Sequence, residues 1–294
     1  MEYISAKHLL HRSKSTEWFG TDHTMNLYRG CCHGCLYCDS RSSCYQNPDF
    51  DRVKAKADAL RLLRDDLARK VRSAFITMGS MSDPYNPFER ELQLTRRALA
   101  LIDAYQCGVA VATKSDLIVR DVDLYRLIQV HSPVICKLTV TTADDALTSK
   151  IEPHAPTPTR RLKALEELSK AGIFSGVLLM PVLPYVEDSA ENVLSVVDSA
   201  ARAGAKFVYA AFGVTMRDGQ RDYFLDGLDR AFPGMGERYR KRYGSRYYCS
   251  SPRAKELWEL FSSRCRELGL LYEMKHIISA ATRSYEDRQL SFFD

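Results

Sequence analysis

Five short apolar runs recur along the middle of the chain, and stretches with helical spacing lie between them. This alternation constrains the fold more than any other feature. The runs cover residues 73–78, 109–113, 134–140, 176–181 and 207–212, and each reads as a buried strand. Helical periodicity fills the gaps. Val53, Ala57, Leu60, Leu67 and Val71 fall on one face, as do Leu92, Thr95, Leu99 and Ile102. Further helices are expected over residues 121–130, 159–171 and 189–203, turning Leu124, Leu165 and Val196 toward a sheet. Strand-then-helix repetition demands parallel strands and right-handed crossovers. A first strand around residues 26–28 brings the count to six. Six such units form a partial (β/α)6 barrel, open on one side, rather than a closed eight-stranded one. The 294 residues are enough for one large α/β core. We expect the barrel over residues 1–215, with a C-terminal extension over 216–294 packed on it: a basic-aromatic segment, a helix and a tail.

In parallel α/β proteins the site lies at the carboxyl ends of the strands, and the unusual residues of this chain fall there. The loop after the first strand reads Asn26-Leu-Tyr-Arg-Gly-Cys-Cys-His-Gly-Cys-Leu-Tyr-Cys38. Cys31, Cys35 and Cys38 have a Cys-x3-Cys-x2-Cys spacing, and three thiolates that close in sequence can converge on one soft metal centre. Three rather than four is informative. A four-iron cubane on three thiolates keeps one iron open for chemistry. The rival readings are a zinc site completed by His33 or Cys44, and a ferredoxin-like triplet of Cys32, Cys35 and Cys38. A disulfide framework is disfavoured by an odd count of nine cysteines and no secretion signal. Apolar residues make up 45% and charged residues 27%, ordinary values for a soluble globular chain. No apolar run approaches the length of a membrane span. A metal centre sensitive to oxidation and the unpaired cysteines place the chain in a reducing cytoplasm.

Four segments together carry a resemblance. They are the cysteine run through Asp39-Ser-Arg41, the segment Ser82-Asp-Pro-Tyr85 with Glu89, the pair Thr113-Lys114, and Ile151-Glu-Pro153 with Arg160. Over most of residues 20–185 the chain resembles the spore photoproduct lyase-like radical S-adenosylmethionine (SAM) family. The resemblance implies a [4Fe–4S] cluster on Cys31, Cys35 and Cys38, and SAM bound at the open iron. Electron transfer to the sulfonium would release a 5′-deoxyadenosyl radical that abstracts hydrogen from a substrate. It implies a carbon–carbon lyase or related radical repair activity on DNA, and an electron donor such as a reductase, flavodoxin or ferredoxin. Lys114 would meet the SAM carboxylate. Ser82 and Asp83 would accept from its ammonium, Thr139 and Arg160 would serve the carboxylate or ribose side, and Tyr37 would lie against the adenine. The family's own lyase has a cysteine two residues before the serine that matches Ser82, and that thiol returns hydrogen to the product radical. Here the position is Ser80. A serine O–H bond is too strong for that task, so another donor is expected. The candidates are Tyr85, Cys107, Cys136, Cys249 and the tyrosines between Tyr243 and Tyr248.

The last third of the chain speaks to partners. Between Arg238 and Arg253 the cations Arg238, Arg240, Lys241, Arg242, Arg246 and Arg253 occur without one acid, interleaved with four tyrosines. Cations neutralise phosphates and aromatic rings stack on bases, so Arg240, Lys241, Arg242, Tyr243 and Arg246 are expected to touch nucleic acid. The opposing view is a solvated basic loop that caps the barrel. Gln289, Leu290, Phe292 and Phe293 resemble the peptide by which bacterial repair proteins bind the sliding clamp. A monomer is expected. The alternatives are the same radical chemistry on a protein or small molecule, and a non-enzymatic iron–sulfur or zinc module that binds nucleic acid.

Overall fold

The computed structural model describes residues 1–70 and 74–290. Six barrel strands follow one another in chain order: His23–Met25, Phe75–Met78, Gly108–Thr113, Val134–Thr139, Ser175–Leu179 and Phe207–Ala210. They lie side by side in that order, all parallel. A further strand, Leu10–Arg12, runs antiparallel on the outer edge of the first. The sixth strand does not pair with the first two elements of the sheet, so the barrel stays open as the six-unit count requires. Aromatic side chains bridge the gap. Trp18 and Phe19 precede the first strand and meet Tyr209 and Phe207 of the sixth, each pair with ring centroids 5.6 Å apart.

The first strand departs from expectation. It lies at His23–Met25, in register with Ile76–Met78, and not at residues 26–28. The Leu27 carbonyl turns away to accept from the Lys56 N–H at 3.0 Å. Tyr28–Arg29 then joins a separate small sheet with Lys54–Lys56 and Glu2–Ile4.

Strand alternation sorts the core into two layers. Val109, Val111, Val134, Cys136 and Leu138 face outward and pack with the helices. Ala110, Ile135, Leu178 and Phe207 face inward, where Phe19 and the last helix, Met274–Leu290, close the interior through Ile277 and Ala281. The helices Val122–Gln129, Pro158–Lys170 and Ala190–Arg202 bury one stripe each, through Leu124 and Ile128, Leu165 and Leu168, and Val193 and Val196. Ser189 caps the third by accepting from the Asn192 N–H at 3.0 Å. Among the described residues no helix is long and apolar enough to cross a membrane.

After the sixth strand, Gly213–Thr215 pairs antiparallel with Tyr248–Ser250. Between them stand the helices Gln220–Ala231 and Met235–Tyr243. Much of the basic-aromatic segment is therefore helix and strand, not the loop of the opposing view. These two helices bury Phe224, Leu228 and Tyr239 against Cys35, Leu36 and Tyr37 of the cysteine loop.

Candidate active site

Three backbone hydrogen bonds pin the cysteine loop. The Cys31 N–H donates to the Phe50 carbonyl at 2.8 Å, the Leu36 N–H to Ile151 at 2.9 Å, and the His154 N–H to His33 at 3.0 Å. Held in this way, Cys31, Cys35 and Cys38 share the wall of one cavity of about 340 Å³. Its other walls come from strand ends, as a parallel barrel dictates: Gly79 to Asp83, Ala112 to Lys114, Thr139, Met180 and Ala211. Gly79 is obligatory there. Its φ is +90°, and a Cβ would sit 2.0 Å from the Ala112 carbonyl oxygen.

The donor set fits a cluster with one open position. Burial pushes the Cys35 thiol up to about 12. It also raises Cys31, with Asp83 and the neighbouring cysteines adding to the effect. Bare thiolates are therefore disfavoured, and a bound metal cation would let all three ionise. Of the two proposed fourth ligands, Cys44 does not line the cavity and His33 does. Cys44 is exposed and accepts from the Ser42 hydroxyl at 3.0 Å and the Arg217 guanidinium at 3.6 Å. His33 lies on the cavity wall with Nδ1 3.5 Å from Asp83.

The model of the Radical SAM superfamily matches residues 25–213. The chain belongs to the radical SAM superfamily. Its cofactors are accordingly a [4Fe–4S] cluster and SAM. An uncharacterized protein of Mycobacterium tuberculosis is 32% identical over 228 residues, which cover 75% of this chain and 67% of that one. One of Methanocaldococcus jannaschii is 31% identical over 169 residues, covering 58% and 63%. Among solved structures, a spore photoproduct lyase variant aligns over 92% of this chain and 81% of its own, with a TM-score of 0.70 at 15% identity. A radical SAM methyltransferase from Kitasatospora setae aligns over 83% and 51%, with a TM-score of 0.53 at 13% identity. These structures share the fold.

In this radical SAM chain, five of the six residues singled out for SAM line the cavity: Tyr37, Ser82, Asp83, Lys114 and Thr139. Three of them are already engaged, Tyr37 through its hydroxyl and the other two as follows. The Ser82 hydroxyl donates to the Gly30 carbonyl at 2.6 Å. The Asp83 carboxylate accepts from the Tyr85 N–H (2.8 Å), the Thr113 hydroxyl (2.6 Å) and the Lys114 N–H (2.9 Å), so it ties two strand-end loops together. The Lys114 ammonium lies 5.4 Å from the Tyr37 ring centroid. Burial works against its charge, but Cys35 and Glu152 outweigh that and hold Lys114 above the ordinary lysine value.

Arg160 is not brought to the cavity. Its guanidinium binds Asp116 at 2.7 and 2.9 Å, half exposed, beside a different pocket. The buried arginine is its neighbour Arg161. It pairs with Glu152 and donates to the Thr139 carbonyl at 2.9 Å and the Pro156 carbonyl at 2.7 Å. The Tyr37 hydroxyl donates to the same Glu152. Burial alone would raise the Glu152 carboxyl, but Arg161 and Lys114 hold it below the ordinary carboxylate value. Sequence reasoning missed Glu152 and Arg161 as supports of the site, although both lie in or beside the motif quoted for it. Arg161→Ala would leave a buried carboxylate without its cation and is expected to cost about 3–5 kcal/mol. Arg160→Ala is expected to cost less than about 1 kcal/mol. Denaturant unfolding of the two variants makes this comparison.

The four specific hydrogen-donor candidates all lie off the cavity. Tyr85 is buried, with its hydroxyl on Asp121 (3.0 Å) and Tyr125 (2.6 Å). Cys107 and Cys136 are buried in the outer layer of the core. The Cys249 thiol is buried 3.1 Å from the Met216 sulfur. Tyr248, inside the tyrosine cluster also named, does line the cavity, as does Ser80. Gly213 makes room for Tyr248, because a Cβ there would lie 2.7 Å from the end of its ring.

The basic segment is largely spent on local pairs. Arg240 meets Asp229 at 3.4 Å and Asp226 at 3.5 Å, and Lys241 meets Glu237 at 2.8 Å. Tyr243 is buried and donates to the Ser250 carbonyl at 2.7 Å. Arg242 and Arg246 remain exposed. Gln289 and Leu290 end the last helix, and Phe292 and Phe293 lie outside the described residues.

Proposed function

We propose that this radical SAM enzyme acts on a damaged or modified base in nucleic acid, presented at the mouth of the cysteine-lined cavity. One observation carries the reading: Tyr248 belongs to the cavity wall and is also 45% exposed at the surface. Beside it stand exposed Tyr247 and the Arg217 guanidinium, 5.5 Å from the Tyr247 ring and 5.7 Å from that of Tyr45. Met81 and Trp18 are exposed as well. Aromatic faces with interleaved cations suit an unstacked base and its phosphates. A spore photoproduct lyase of the same fold has been captured with a dinucleoside spore photoproduct. The contact surface proposed here centres on Arg217, Arg246, Tyr247 and Tyr248 instead of Arg240 and Lys241.

Cys31, Cys35 and Cys38 would hold a [4Fe–4S] cluster, which would supply the electron for reductive cleavage of SAM. The chain's own residues bind and orient. Lys114 meets the SAM carboxylate, Thr139 and Ser82 offer polar contacts on either side, and Asp83 holds the Lys114 backbone in place. Tyr37, fixed through Glu152 and Arg161, supports the cofactor side of the cavity. Tyr248 is the proposed source of the final hydrogen atom in place of the absent thiol. Lys114→Ala is expected to weaken SAM binding by about 1.5–3 kcal/mol, the worth of a hydrogen bond to a charged group, with the cluster content unchanged. Equilibrium dialysis with labelled SAM measures it.

Anaerobic turnover tests the substrate class. Oligonucleotides carrying deuterated bases and ultraviolet lesions are incubated with SAM and reductant. The reading expects deuterium in 5′-deoxyadenosine, and a label-free product from every nucleic acid offered would reject it. A clamp contact through Gln289, Leu290, Phe292 and Phe293 belongs to the same proposal. Pull-down of a bacterial sliding clamp, with the full chain and with a chain ending at Arg288, tests it separately.

A further inference from the structure

The cysteine loop has two faces. Cys31, Cys35, Tyr37 and Cys38 look into the cavity. Cys32, Gly34 and Leu36 line a separate groove of about 580 Å³. A single thickness of loop thus separates the groove from the three thiols. The wall is kept thin by small residues. A Cβ at Gly34 would lie 3.0 Å from the His154 ring, and one at Gly227, across the groove, 2.7 Å from the Leu36 side chain. It is also stiff, because the His33 carbonyl and the Leu36 N–H are both bonded to the segment between Ile151 and His154.

The rim of the groove is positive. Lys150, His154 and Arg230 are exposed on it. Its lining acid, Asp51, is already held by the Arg41 guanidinium at 2.8 Å. Chemistry in the cavity needs an electron from outside while SAM and substrate fill that cavity. The cavity mouth is then blocked to a protein donor, and the groove offers a short route from another side.

We infer that this groove docks the electron donor, a small acidic protein with a flavin or iron–sulfur centre near its surface. Its negative rim meets Lys150 and Arg230, and its cofactor faces the wall at Cys32 and Gly34. One electron leaves the donor's reduced cofactor and enters the cluster, and no bond forms or breaks. The inference rests on the reading of the cavity as a radical SAM centre.

The test uses a bacterial flavodoxin and a chain carrying both Lys150→Glu and Arg230→Glu. Binding is measured by calorimetry on the cluster-free and the cluster-loaded protein. The charge reversals are expected to weaken binding about tenfold or more at low salt in both forms, and the difference shrinks at high salt. Reduction of the loaded cluster by reduced flavodoxin, followed by bleaching of its visible absorbance, slows in parallel. Reduction by dithionite does not change. Binding and bleaching that ignore the reversals overturn the docking site. A variant that slows equally with dithionite also overturns it, since the cluster itself is then disturbed. A wild-type chain that takes up no iron overturns the radical SAM reading instead, and iron analysis before any donor is added distinguishes the two.

Discussion

Cys31→Ala, Cys35→Ala and Cys38→Ala will each abolish the iron–sulfur cluster and bring SAM cleavage down to background, whereas Cys32→Ala and Cys44→Ala will keep both. The expectation follows from which thiols share the cavity wall. Cys31, Cys35 and Cys38 do, and they leave one iron of a cubane without a protein ligand. Two thiolates cannot hold a cubane that also needs an open iron for SAM, so the loss is complete and not graded. Cys32 is the adjacent residue in sequence, yet it lines the opposite face of the loop. Cys44 is exposed and tied to Ser42 and Arg217. Anaerobic reconstitution followed by iron and sulfide analysis, and chromatography of 5′-deoxyadenosine, reads the result. Stoichiometric zinc without iron–sulfur absorbance in the parent chain, or a Cys32→Ala variant as damaged as Cys31→Ala, would show that the wrong ligands have been chosen.

The barrel was legible because parallel strands covered on both faces read as continuous apolar runs. The five runs from residue 73 to residue 212 all correspond to strands, within two residues at each described end. The first strand was misplaced for the converse reason: His23-Thr24-Met25 is short and only partly apolar, so it carries no such run. The cysteine loop was legible because its ligands are close in sequence. Residues that reach the cavity from distant elements were harder. Arg160 and Arg161 are adjacent, and a helix turns about 100° per residue, so one of them must point away. Sequence alone does not say which. The hydrogen-donor candidates were open to a sharper reading. Thr139 faces the cavity, so strand alternation turns Lys137 inward and Cys136 outward. The basic segment held a signal too. Glu237 stands four residues before Lys241, the spacing of a helical ion pair, and that pair forms.

Lys137→Met will make the protein markedly more stable at neutral and mildly acid pH. Lys137 lies mid-strand in Val134–Thr139, fully buried, on the inward face. Among the described residues its ammonium has no hydrogen-bond partner and rests 4.3 Å from the centre of the Phe19 ring. Burial pulls its pKa down to about 7 from the ordinary 10.5, and nearby Cys136 offsets this only in part. The sign follows from proton counts. Between about pH 7 and 10.5 the unfolded chain holds a proton here that the folded chain has lost, so stability rises with pH across that window. The cost is fully present below pH 7. A fall of that size corresponds to about 5 kcal/mol, shrinking to about 2 kcal/mol at pH 9 and vanishing above the ordinary lysine value. Methionine has a similar length, no charge, and the flexibility to fill the same space beside Phe19. Urea unfolding at pH 6, 7.5 and 9 should therefore show the gain of the variant narrowing as pH rises. Equal stability of the two proteins at pH 6 would mean that the Lys137 ammonium is solvated or paired in the folded chain and that the interior is wetter than its apolar lining implies. A gain that stays constant with pH would trace the effect to packing around Phe19 and not to the charge.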